Sequence, residues 1–192
     1  MKSKMPYTER KRKYPSKKEI AGYLAVNAPT ILCPPHFWLP NGNIAPENQV
    51  EPVIFILTVG GEARGESKQG QELVASVILN RWLQQTWFGR TVNDVCLKHG
   101  KNDNGDYVYQ FDCWNPQNKN YKWIAKPEMM EYQLTALSIL PIYFQQKPIV
   151  NGDIDHYYNP DLCSPSWADV YPKIMEEGQH RFYSFRKWKS SI

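Results

Sequence analysis

The sequence predicts a single, mainly α-helical domain carrying one small β-hairpin or loop, and three observations predict it. Leu73, Val74, Val77, Ile78 and Trp82 recur at helical spacing. Met130, Leu134 and Leu137 repeat that spacing in a second segment, which Pro141 is expected to end. Between them, Tyr107, Tyr109, Phe111 and Trp114 alternate among the Asn, Asp and Gly residues of 99–120, as a hairpin or long loop does. At 192 residues the chain has the size of one domain with one core, and it contains no internal repeat.

The elements follow in chain order. Residues 1–18 hold eight Lys and Arg against one acid, which exceeds the net charge of +4, so the rest of the chain is net acidic. This segment reads as a flexible basic tail suited to an anionic polymer. Nucleic acid is not expected, because nothing in the body repeats a basic stripe. Ser16 to Glu19 has capping-box spacing and leads into a short helix through Leu24. Residues 19–50 are otherwise an irregular lead-in, and the stretch from Pro29 to Pro52 is rich in Pro, Asn and Gly. The folded domain is expected over 51–192.

Val53–Val59 is an unbroken apolar run, VIFILTV, which on propensity fits a buried strand or a buried helix. A helix is expected near Trp167–Glu177, limited by Pro172. No stretch approaches the roughly 20 apolar residues of a membrane span. Gly22–Ala28, broken by Asn27 and followed by Pro29, makes a poor signal-peptide core. Cys33, Cys96, Cys113 and Cys163 are too few and too scattered for a disulfide scaffold, and free thiols are expected.

Chemistry concentrates in Gly60-Gly61-Glu62-Ala63-Arg64-Gly65-Glu66-Ser67. On a helix, two acids four apart share a face, and like charges that close raise the pKa of one of them. The apolar run before Glu62 adds desolvation in the same direction. A carboxylic acid kept protonated near neutral pH can protonate a leaving group. The bland alternative is a solvated helix end in which Arg64 pairs with a neighbouring acid. Fourteen per cent of the residues are aromatic, which suits either a core or a carbohydrate cleft. Cys96, His99, Cys113, His156, Cys163 and His180 contain no Cys-x-x-Cys pair, so no metal site is expected. No phosphate-binding glycine loop and no Gly-x-Ser-x-Gly elbow is present, and no cofactor is implied.

Three ordered blocks carry a family resemblance. The stretch GGEARGESKQGQELVASVILNR, Gly60–Arg81, resembles the core signature of the SleB/CwlJ-like cell-wall hydrolases, known from spore-cortex lytic enzymes and phage lysins. Gln110-Phe111-Asp112-Cys113-Trp114-Asn115 is similar to that family's Gln-Phe-Ser-x-Trp block. His156-Tyr157-Tyr158-Asn159-Pro160, Trp167-Ala168 and Gly178–Tyr183 resemble its C-terminal signature.

The resemblance implies a lysozyme-like α+β domain in which Val53–Val59 is the helix leading to the catalytic acid, Glu62, with Glu66 supporting it by positioning, tuning or substrate contact. Gln110, Trp114, Tyr157 and Asn159 are the candidate substrate-binding residues, an amide for an N-acetyl group and an indole for a sugar face. Against this, Trp114 and Tyr157 could equally be core, and His156 and His180 read as structural.

The implied substrate is the glycan strand of peptidoglycan, cleaved between N-acetylmuramic acid and N-acetylglucosamine by lytic transglycosylation or by hydrolysis. An amidase and a non-catalytic wall-binding virion protein are the alternatives. The implied setting is a phage lysin, released by a holin-like route or carried in a virion, whose tail also meets anionic wall polymers. Two features depart from the family pattern: Gly61, where an aromatic or polar residue is common, and an apparent insertion over 99–109.

Overall fold

The computed structural model describes residues 46–115, 117–121, 130–149 and 154–185. The basic tail, the short helix after Ser16, most of the lead-in and Cys33 lie outside the described residues.

Helix α1 spans Pro46–Ala63. It begins seven residues before the apolar run, inside the segment expected to be irregular. Proline at the first helical position needs no N–H bond, so Pro46 is compatible with that start, and Pro52 forfeits one bond further in. Val53, Phe55, Ile56, Thr58 and Val59 are each 0% exposed, so the helix is buried on every side. That all-round apolarity is why the run has no helical periodicity to read.

Helix α2, Lys68–Leu83, starts at an N-cap in which Ser67 Oγ accepts from Gly70 N at 3.1 Å. Of the five residues at helical spacing, Leu73, Val74, Val77 and Ile78 are buried and Trp82 is half-buried. A short α3, Val92–Cys96, is closed by a capping box between Thr91 and Asp94. Helix α4, Met130–Gln145, runs through Pro141 where the sequence reading ended it. Burial of Ile139 and Leu140 just before the proline holds the last turn onto the core despite the missing donor. Helices α1, α2 and α4 pack on one another.

Two antiparallel sheets complete the described fold. Strands β1, His99–Lys101, and β2, Tyr107–Tyr109, form the expected hairpin, with Phe111 buried after it and a 3₁₀ turn at Asp112–Trp114. Strand β3, His156–Tyr158, pairs with β5, His180–Tyr183, which also pairs with β4, Lys173–Glu177. The helix expected near Trp167–Glu177 is instead a 3₁₀ turn at Ser166–Asp169 followed by β4. Pro172 disfavours helical backbone at the residue before it, and β5 offers a partner edge. Tyr157 turns inward toward Phe111, Phe182 and His180, while His156 and Tyr158 pack on Trp167 from the opposite face.

Candidate active site

Three elements converge on Glu62. It lies in the last turn of α1, half-buried at the floor of a cleft of about 390 Å³. The 3₁₀ turn presents Cys113, whose backbone N–H donates to Glu62 Oε1 at 2.8 Å. Strand β3 presents Tyr157, whose hydroxyl donates to Glu62 Oε2 at 2.9 Å. A backbone N–H can only donate, whereas a phenol can donate or accept. Oε1 must therefore stay an acceptor. When Glu62 is neutral its proton belongs on Oε2, beside a hydroxyl able to turn and receive it.

Burial is the largest influence on Glu62 and raises its pKa above the ordinary carboxylate value. Hydrogen bonds from Cys113 and Tyr157 pull the other way, and the charge of Asp112 adds to the rise. Burial, then Glu62 itself, holds the Tyr157 phenol well above its usual range, so it stays a neutral hydroxyl. Burial likewise pushes the Cys113 thiol up, which leaves it unreactive.

Arg81, buried at the cleft wall, is lowered to about 10 by desolvation and remains a cation at neutral pH. Its guanidinium lies 4.8 Å from the Phe88 ring centre and 5.2 Å from that of Phe111. Its Nε donates to the Asp155 carbonyl at 2.6 Å and its Nη1 to Gln110 Oε1 at 3.5 Å.

The fold brings Glu62, Glu66, Gln110, Tyr157 and Asn159 to the same cleft. Trp114 is placed elsewhere. It is 4% exposed, lies outside the cleft lining, and its Nε1 donates to Thr58 Oγ1 at 3.0 Å, so its indole belongs to the core beneath α1 and cannot stack on a sugar. Glu66 departs from expectation in geometry. Helix α1 ends at Ala63, so the two glutamates do not share a helical face, and the like charge that raises Glu62 is Asp112. Asn159 spends its side chain on the rim, donating to Gln179 Oε1 at 3.1 Å and accepting from Asp161 N at 2.9 Å. His156 is structural, stacked 3.5 Å from Phe185 and paired with Asp155 at 2.8 Å.

Several lining residues escaped the sequence reading. Asp112 stands where the resembled block has Ser, and that substitution of an acid was the available signal. Arg64 donates to Gly61 O at 3.4 Å and also to Asn120 Oδ1 at 3.0 Å, across the cleft wall. Among the described residues no three His, Cys, Asp or Glu side chains gather as metal ligands.

The Cell Wall Hydrolase family model matches residues 65–183, more than half of the chain. The chain belongs to this family. The matched span opens three residues after Glu62, so the case for Glu62 within the cell wall hydrolase family rests on its geometry. A spore cortex-lytic enzyme of Oceanobacillus iheyensis is 30% identical over 125 residues, covering 65% of this chain and 38% of that relative. The chain thus spans little more than a third of its curated relative's length. Among solved structures, the catalytic domain of the germination-specific lytic transglycosylase SleB from Bacillus anthracis is similar at 25% identity and a TM-score of 0.49, covering 76% of this chain and 100% of that domain.

Proposed function

We propose that the protein is a peptidoglycan-cleaving glycosidase that works as a lytic transglycosylase, with Glu62 as its one acid and base. The observation that carries this reading is the arrangement at Glu62: a carboxyl raised by burial, with one oxygen fixed by a donor and the other facing a reversible hydroxyl. Membership of a cell wall hydrolase family supports the substrate class.

The steps balance without water. Glu62 Oε2–H gives its proton to the glycosidic oxygen as the bond from that oxygen to C1 of the muramic acid breaks. The resulting carboxylate then takes the proton of the muramic C6 hydroxyl, whose oxygen bonds to C1 of its own ring. Closure within one residue has a high effective molarity. Tyr157 donates to Glu62 while it is ionised and accepts from it while it is neutral.

Mass spectrometry of purified peptidoglycan after digestion tests the reading. Products ending in 1,6-anhydromuramic acid, each lighter by one water than a hydrolytic product, are expected. Cleavage at the stem peptide would overturn it in favour of an amidase. One observation favours hydrolysis as a second reading: Asp112 lines the cleft and acts electrostatically on Glu62, so it could activate a water.

A further inference from the structure

We propose that Glu66 is a positioning residue, a clamp that fastens the β4–β5 turn to the α1–α2 loop and through it sets the Tyr157 hydroxyl on Glu62. The inference rests on the reading of Glu62 as the acid and assigns its neighbour a different task. The Glu66 side chain is 9% exposed. Its Oε2 accepts from the backbone N–H of Gln179 at 3.2 Å, and its Oε1 lies 3.8 Å from His180 Nδ1. A second tie runs parallel, from Ser67 Oγ to Glu177 Oε1 at 2.7 Å.

Two glycines make room for this contact. Gly178 has φ +55°, and a Cβ there would sit 1.7 Å from Glu66 Oε2. On the other side, a Cβ on Gly70 would lie 2.8 Å from Glu66 Cβ. The carboxylate is thus wedged between the start of α2 and the turn.

The next links lead to the acid. The His180 ring stands edge-on to Tyr157, with centres 5.0 Å apart and planes at 87°. Its Nδ1 is buried and has no hydrogen-bond partner among the described residues, so packing rather than bonding fixes its place between Glu66 and Tyr157. Tyr157 then reaches Glu62 at 2.9 Å. Glu66 therefore governs Glu62 through a path of four side chains, without needing to touch the reacting atoms.

The test uses the full chain carrying Glu66→Gln, Glu66→Ala, Gly178→Ala or the last two together. Cleavage of glycan strands is measured beside the titration of Glu62, followed by NMR of its side-chain carboxyl carbon, with Tm as a check on folding. Glu66→Gln is expected to stay within about tenfold of wild-type cleavage, short of the ~10²–10⁴-fold tied to a lost acid or base, because its amide oxygen still accepts from Gln179. Glu66→Ala should cut cleavage further and displace the Glu62 titration. Gly178→Ala, which lies outside the cleft lining, should displace it too. The double variant should lose less relative to Glu66→Ala than Gly178→Ala loses relative to wild type, since the obstructing oxygen is gone and only the strain of alanine at φ +55° remains.

Loss of more than ~10²-fold in Glu66→Gln with an unmoved Glu62 titration would place Glu66 in the chemistry and overturn the clamp. So would wild-type cleavage and titration in Glu66→Ala, which decides the matter if Gly178→Ala does not fold. Failure of the reading beneath it looks different: Glu62→Gln would keep cleaving, while the displaced titration, which needs no turnover, would remain.

Discussion

The hydroxyl of Tyr157 donates to Glu62 Oε2 at 2.9 Å, joining residues 95 positions apart across the floor of the cleft. This bond favours the ionised carboxylate, so it opposes the burial that raises Glu62. Tyr157→Phe removes it and leaves the desolvation in place. The Glu62 pKa should then rise further, and the descending limb of the pH–rate profile, where activity fades as Glu62 loses its proton, should move to higher pH. The maximal rate should fall at the same time, because the ionised form formed after proton transfer loses its donor. A pH series of glycan cleavage by wild type and variant checks this; a limb that moves to lower pH contradicts the assignment.

Glu62→Gln separates function from stability. Its amide oxygen can accept from Cys113 N–H and its NH₂ can donate to Tyr157, which reproduces the neutral acid without a transferable proton. Cleavage should fall by at least ~10²–10⁴-fold. Stability should move the other way. Because the folded pKa lies above the unfolded one, wild type keeps the full benefit of the protonated acid below the unfolded value and loses it as pH rises through the folded value. The Tm advantage of Glu62→Gln should therefore grow from acidic to alkaline pH, as thermal melts across that range would record.

Legibility in the sequence followed the physics of each segment. Helix α2 could be read because its apolar positions repeat at helical spacing and Ser67 caps it. Helix α1 could not be read from pattern, since a helix buried on all sides carries no stripe. Glu62, Gln110 and Tyr157 were singled out because their blocks resemble a known family, and the fold places them around one cleft. What stayed hidden needed contacts between distant segments. The bond of Ser67 to Glu177 spans 110 residues, and the grip of Glu66 on Gln179 spans 113. Nothing local in either segment encodes such a meeting. Trp114 was misplaced for the opposite reason: an indole serves a core and a sugar cleft equally well, and only its bond to Thr58 decides.

That placement makes Trp114 a stability residue. Trp114→Phe keeps most of the buried apolar volume and removes the donor to Thr58 Oγ1, which itself donates to Ile54 O at 2.7 Å. A loss of about 1–3 kcal/mol is expected from the unsatisfied buried partner and the smaller ring. Denaturant unfolding would record it. Affinity for glycan strands, measured in a Glu62→Gln background to prevent turnover, should not change.

The basic segment 1–18 should serve attraction to the wall and leave the chemistry alone. Its removal is expected to weaken sedimentation with purified walls at low ionic strength. At about 1 M salt, where the screening length is roughly 3 Å, the two forms should bind alike. Turnover of short soluble glycan chains should be the same with and without it. An equal effect at both salt concentrations would mean that the segment binds through something other than charge.

Ring closure and hydrolysis at the same acid differ in what becomes of the new muramic end. Glu62 and Asp112 are close enough to interact electrostatically, and both line the cleft. An inverting hydrolysis would place a water between sugar and base, with carboxyl groups about 6.5–9.5 Å apart. Ring closure asks nothing of Asp112 beyond its field, which raises Glu62 and so helps it hold a proton. Digestion in water enriched in ¹⁸O distinguishes the two, because hydrolysis writes the label into the new muramic end and ring closure leaves it unlabelled. Unlabelled anhydro ends are expected as the main product. Asp112→Asn should then lower the Glu62 pKa slightly and shift the descending pH limb to lower pH, while leaving the product unchanged. Labelled reducing ends that disappear in Asp112→Asn would make Asp112 the base, with Glu62 still the acid.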